Sequence, residues 1–91
     1  MARVTAFQIE GLKIWFWSCD HEPPHFHVKR RGEWEVKVCF LLSPDVMIEV
    51  VEVFGAGPSV RVLKNIIRLS ELHRLELLEQ WQQIRESEAA E

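Results

Sequence analysis

The order of its secondary-structure signals constrains this chain more than any other feature. Stretches rich in β-branched and aromatic residues come first, at about 12–19, 25–29, 33–40 and 46–54, and turn signals containing glycine, proline or aspartate separate them. A helical pattern then runs from residue 60 to about 86. Strands followed by a single long helix predict an α+β fold, in which a small antiparallel sheet of about four strands carries the helix on one face.

The size and composition of the chain indicate one domain. We expect it to span 1–86, with 87–91 as a frayed tail, since 91 residues suffice for a single core. The net charge of -3 gives no overall attraction to nucleic acid. No stretch resembles a signal peptide or reaches membrane-spanning length, and Cys19 and Cys39 do not make a disulfide framework, so a cytoplasmic location without membrane contact is expected.

Three of the four histidines lie in one short stretch, Asp-His-Glu-Pro-Pro-His-Phe-His at 20–27. Strand alternation puts His25 and His27 on one face of the sheet, about 7 Å apart at their Cα atoms, which suits a shared metal ion. Asp20 or His21 would fold back over the two prolines as a further ligand, and Zn or Mn is the expected ion. The same four residues are the candidates for acid–base catalysis. The alternative is that no ion binds. The histidines then form a polar strand face, and the two prolines make the segment that leads into the strand rigid.

The register of the hairpin after this stretch decides which way the histidines face. A three-residue loop at 30–32 pairs Val28 with Trp34 and matches apolar side chains with apolar ones, so we predict this register. It places His25 and His27 on the face that points away from the helix. A two-residue loop would reverse that face and bring both histidines under the helix.

The length of the predicted helix suggests self-association. At 1.5 Å per residue it spans roughly 40 Å, whereas strands of this length span roughly 23 Å. We therefore expect its last turns, with Leu77, Trp81 and Ile84, to extend beyond the sheet. Because the strands also carry apolar residues on both faces, a homodimer is the expected solution. The alternative is that a bent helix and the N-terminal strand cover these surfaces within one chain.

The fourth histidine, His73, lies on the apolar arc of the predicted helix between Leu69 and Leu77. A charged imidazole there would be unfavourable because it would lose its water. We therefore expect His73 to be buried, neutral and hydrogen-bonded rather than part of the site formed by the other three.

Basic residues gather in two places, and both are candidates for phosphate contacts. Lys29, Arg30 and Arg31 lie at the tip of the predicted hairpin, and Arg61, Lys64 and Arg68 lie on the exposed side of the helix. Ordinary solvated surface charge is the favoured interpretation, given the acidic net charge. Nucleic-acid binding stays open but is not favoured.

The string Asp20-His21-x-Pro23-Pro24-His25-x-His27 resembles the signature of a bacterial family, domain-of-unknown-function family 4160. The string follows an aromatic strand and precedes a hairpin, and the helical segment 69–81, with its histidine and tryptophan, resembles that family's helix. The resemblance runs from about residue 12 to 84. It implies a bacterial cytoplasmic protein without an established activity, whose gene lies beside that of another small protein, as in toxin–antitoxin pairs.

Two classes of function follow from these observations. The first is a dimeric interaction module of a toxin–antitoxin-like gene pair, which acts through a small protein partner. The second is a metal-dependent or acid–base enzyme that uses the histidine motif, with ribonuclease-like chemistry as one candidate. The exposed Leu72 and Leu75 of the predicted helix favour the first.

Overall fold

The chain folds into an antiparallel sheet of five strands followed by two helices, as a computed structural model describes it for residues 1–17 and 21–89. Each strand pairs with its neighbours in sequence, so the sheet is a simple meander. The predicted α+β class is confirmed, and the additional strand is the two-residue β1. The strands are β1 (Ala2–Arg3), β2 (Lys13–Phe16), β3 (Phe26–Arg30), β4 (Trp34–Val38) and β5 (Ile48–Val53).

The helical segment is divided in two, where the sequence predicted one long helix. Helix α1 spans Val60–Leu72 and helix α2 spans Arg74–Ala89. Ser59 caps α1, because its hydroxyl oxygen accepts the Val62 N–H at 3.2 Å. His73 leaves the helical conformation with φ -106° and ψ 23°. Its N–H still donates to the Leu69 carbonyl at 3.0 Å, so the interruption is confined to one residue.

Helix α2 packs against the core face of the sheet through Leu77 and Trp81. Leu77 and Trp81 are buried within the same chain, so the predicted overhang of these two residues is wrong. Polar contacts hold α2 in place: the Arg74 Nε–H donates to the Phe40 carbonyl at 2.9 Å, and the Gln80 amide donates to the Arg3 carbonyl at 2.7 Å. Leu77 and Trp81 are therefore covered within the chain, whereas Leu75 on the same helix is 78% exposed.

One face of the sheet forms the core with both helices. Alternation along the central strands points every second side chain to this face. Ser70 is the polar exception within α1, and its hydroxyl donates to the Ile66 carbonyl at 2.7 Å. The buried apolar residues of this core include Ile14, Phe16, Phe26, Val28, Trp34, Val36, Val38, Ile66, Leu77 and Trp81.

The β3–β4 hairpin corrects the predicted register but keeps the predicted faces. Arg30 pairs with Trp34 and Val28 pairs with Val36, so the predicted pair of Val28 with Trp34 is wrong by two positions. The reason is the turn: Gly32, at φ 78°, lies in the middle of the loop rather than at its end. A shift of two residues preserves the alternation, which is why the face of His27 was still predicted correctly.

Cys39 is a free, buried thiol at the end of β4. Burial raises its pKa above the usual value of 9.0, and the nearby Lys37 partly opposes that shift. Cys19 lies outside the described residues.

Candidate functional site

The face of the sheet opposite the core, here called the outer face, carries most of the charged strand residues. Alternation sends the other half of each strand's side chains to it. The register aligns them across the strands in two rows. One row contains Lys13, Lys29, Glu35 and Glu52, and the other contains Trp15, His27, Lys37 and Glu49.

His27 lies at the centre of the outer face and is almost fully buried, at 8% exposure. Its ring stacks on Trp15, with centroids 5.4 Å apart, and meets the edge of Trp17 at 6.3 Å. Nδ1 of His27 is 3.4 Å from Oε2 of Glu35 on the neighbouring strand. A carboxylate beside an imidazole can orient the ring, which is an arrangement found in acid–base and metal sites.

His25 directly precedes β3, and its backbone surroundings fix its tautomer. Its Nδ1–H donates to the carbonyl oxygen of Pro23 at 2.8 Å. A carbonyl can only accept, so the neutral ring carries its proton on Nδ1 and its lone pair on Nε2. The ring centroid is 5.3 Å from that of His27. The prediction that these two imidazoles lie side by side is therefore consistent with the geometry.

The two histidines differ in their relation to the helices. His27 points to the outer face as predicted. His25 instead contacts the ring of Trp81 on α2, with centroids 5.6 Å apart, so the prediction that it points away from the helix is wrong. The reason is that β3 begins at Phe26, and strand alternation does not govern the residue before it.

The other two residues of the predicted site, Asp20 and His21, are not part of this histidine pair as the structure describes it. Asp20 lies outside the described residues. His21 is described and is exposed, in the segment before the prolines. Within residues 1–17 and 21–89, no group of three histidine, cysteine or carboxylate side chains is arranged to hold a metal ion. The described part of the site is therefore the pair of His25 and His27, with Glu35 beside it.

Aromatic residues that the sequence reasoning did not include in the site surround this pair. Trp15 is 3% exposed, and its indole Nε1–H has no hydrogen-bond partner in the part of the chain that the structure describes. Lys13 lies over the Trp15 ring at 5.2 Å. The β2–β3 register places Trp15 opposite His27. Knowing that register would have added Trp15 to the predicted site, but local sequence does not determine it.

His73 is separate from this pair and marks the interruption between α1 and α2. Its side chain is only partly buried, so the prediction of a buried residue is wrong, because the residue leaves the helical arc. The predicted hydrogen bond is present: Nδ1 is 3.0 Å from Oε1 of Glu76, and the ring packs against Phe7 at 5.7 Å. Its charge state stays a prediction.

A second candidate surface lies at the β5 end of the sheet. Among the described residues, β5 pairs with β4 alone, so one of its edges is open. Val50 is 54% exposed, whereas Val36, directly opposite it on β4, is 0% exposed. The helix layer therefore ends above β4. The β5 edge patch, as we define it, comprises the exposed side chains of Val46, Val50, Val51, Val53 and Phe54.

The two basic clusters that are candidates for phosphate contacts lie on the helix surface and at the hairpin tip. Arg61, Lys64 and Arg68 are exposed on α1, and Arg68 donates to the Asn65 side-chain oxygen at 2.9 Å. At the hairpin tip, Arg30 lies 3.7 Å from Glu33. Nucleic-acid binding stays a prediction that is not favoured.

Together, the fold and these surfaces define a small α+β domain with a histidine–tryptophan face and an open apolar edge. The chain belongs to the family described as Domain of unknown function (DUF4160), which matches residues 11–82. The family membership suggested by the sequence is confirmed. No curated protein and no solved structure shows significant similarity to the chain. Over the described ranges, neither helix has both the length and the apolar character needed to cross a membrane.

Proposed function

We propose that this chain is a protein-interaction module that binds a second polypeptide through the β5 edge patch. The observation that carries the proposal is the juxtaposition of an open strand edge with exposed valines and a phenylalanine. An open edge offers backbone N–H and C=O groups to an added strand, and the apolar side chains beside it supply contact area. Folded monomers rarely leave such a combination uncovered.

The identity of the second polypeptide connects this proposal to the family. The resemblance implies a neighbouring gene for another small protein, as in toxin–antitoxin pairs, and such a protein is the partner we propose. A homodimer is the alternative occupant that the sequence predicted. One of its two original grounds is removed, since Leu77 and Trp81 are buried within the chain. The other ground, uncovered apolar strand surface, is retained at β5.

Co-purification with the product of the adjoining gene tests the proposal. We expect the wild-type chain to form a stable complex, and we expect Val50→Ser with Val53→Ser to abolish it. Val60→Ser is the matched control, because Val60 is an exposed valine on α1 outside the patch. Sedimentation velocity of the chain alone measures self-association in the same variants. Association that is insensitive to the β5 substitutions would contradict the proposal.

A second candidate function is metal binding at His25 and His27. The observation that favours it is their separation. Two imidazoles on one tetrahedral zinc ion, with Zn–N distances of 2.0–2.1 Å, place their ring centroids about 5.2 Å apart, and the observed value is 5.3 Å. The hydrogen bond from His25 to Pro23 assigns Nε2 as the coordinating nitrogen of that residue. Asp20 and His21 remain the proposed additional ligands, and acid–base catalysis at the same residues depends on the same geometry.

Titration with zinc and with manganese, followed by calorimetry, tests this candidate. Replacement of both His25 and His27 by alanine should abolish binding, whereas His73→Ala should not affect it. Circular dichroism of both variants establishes that they are folded. If the wild-type chain binds neither ion, the histidine pair is structural.

A further inference from the structure

We propose that the β5 edge accepts a strand of a different protein in which apolar residues alternate with lysine or arginine, rather than β5 of a second copy of this chain. The inference rests on the proposed function, since it names the chemistry of the partner at the same patch. It is carried by the charges and the register at the free edge.

Both rows of the outer face end in a glutamate at β5. Glu49 faces Lys37 across the β4–β5 pair, and Glu52 faces Glu35. Both Glu49 and Glu52 are exposed. On the side away from β4, each would be next to the residues of a strand added at this edge. Glu52 is the more poorly compensated of the two, because its neighbour on β4 is also acidic. A strand added at this edge therefore meets negative charge in both rows.

A second copy of the chain does not complement that charge. In the antiparallel register that pairs all six residues of β5, Ile48 lies opposite Val53 of the second copy. Glu49 then lies opposite Glu52 of the second copy, and this contact occurs twice by symmetry. A parallel arrangement opposes each glutamate to its own counterpart. Like charges directly opposite each other destabilise strand pairing in either case.

The backbone of β5 limits how regularly any added strand can pair with it. The β4–β5 register shifts between Glu35 and Val36, which leaves Val51 as the extra residue on β5. A bulge and charged side chains are features by which natural sheets keep their edges from pairing with other chains. The charges oppose a copy of β5 but not a strand of opposite charge, whereas the bulge limits regular pairing near Val51 for either one.

The core-side face of β5 specifies the other half of the partner strand. Ile48, Val50 and Val53 point to the side of the sheet that carries the helices, and each is at least partly exposed. Apolar side chains on the added strand would contact these three residues. Basic side chains on its other face would contact Glu49 and Glu52. The complementary strand is therefore an alternating apolar–basic one.

Fluorescence anisotropy with synthetic peptides tests the inference on the full chain. The probe is a capped, labelled octapeptide of alternating valine and lysine, and its counterpart alternates valine and glutamate. We expect the lysine peptide to bind about tenfold more tightly. The double variant Glu49→Lys with Glu52→Lys should reverse that preference. Glu79→Lys with Glu86→Lys, which changes the net charge equally on exposed positions of α2, should leave it unchanged.

Two further measurements separate the possible failures. A lysine peptide with prolines at its two central positions should lose binding, because proline removes the donors that strand pairing needs. Equal binding of both peptides, or a preference that Glu49→Lys with Glu52→Lys does not alter, overturns the inferred partner chemistry. A homodimer that dissociates in the double variant Val50→Ser with Val53→Ser also overturns the inferred partner chemistry. The proposed function then still stands. If those serines alter neither peptide binding nor association with the neighbouring gene's product, both proposals fail.

Discussion

The two ends of the sheet differ in what covers them, although the same alternation of side chains runs through both. At β2 and β3 both faces are covered: the helices lie on one face, and Trp15, Trp17 and His27 shield one another on the other. At β5 neither face is covered to that extent, and valines on the core side stay exposed. The difference shows that apolar alternation alone does not bury a strand, since burial requires a second layer above it.

Trp81→Ala should have the largest effect, because it removes the helix residue that covers the β2–β3 end. The Trp81 ring is 3% exposed and contacts Phe16, with centroids 6.1 Å apart. We expect the free energy of unfolding to fall by about 3–5 kcal/mol, as for other large-to-small core substitutions. Urea denaturation measures it. Leu75→Ala, at an exposed position of the same helix, should change stability by less than about 0.5 kcal/mol, and comparable losses in the two variants would contradict the packing described here.

Val36 and Val50 allow the most direct comparison of the covered and uncovered parts of the sheet. They are paired across β4 and β5 on the same face, and their exposures are 0% and 54%. We expect Val36→Ala to cost about 2 kcal/mol and Val50→Ala well under 1 kcal/mol in the isolated chain. Equal effects in denaturation experiments would mean that β5 is already covered in solution, as in a homodimer.

The features that local sequence determines were predictable, and those that depend on distant contacts were not. Alternation and turn residues identified the strands and the face of His27. The sequence did not reveal the interruption at His73 or the placement of α2. That placement depends on contacts such as the one from Gln80 to the Arg3 carbonyl, 77 positions away. The candidate site shows the same division: the histidine pair was predictable, whereas its tryptophan neighbours depend on the β2–β3 register.

His27→Phe should separate the structural from the functional contribution of the covered outer face. Phenylalanine retains the stack on Trp15 but removes the two ring nitrogens, one of which lies near Glu35. We expect stability to change by no more than about 1 kcal/mol, in either direction. His27→Ala, which also removes the stack, should be less stable than His27→Phe. If metal binding survives in His27→Phe, the ion does not use this residue.

Cys39 provides the smallest predicted effect, and it concerns the end of β4 where covered and uncovered strands meet. Burial raises the pKa of its thiol above 9.0, so folding favours the protonated form. The resulting stabilisation is fully present below the thiol's unfolded-state pKa and is lost as the pH rises through its folded-state pKa. Wild-type stability should therefore fall above about pH 9 by more than that of Cys39→Ala, which cannot ionise there. Urea denaturation at pH 8 and pH 10 measures the difference, and parallel losses in both proteins would show that the thiol is accessible to water.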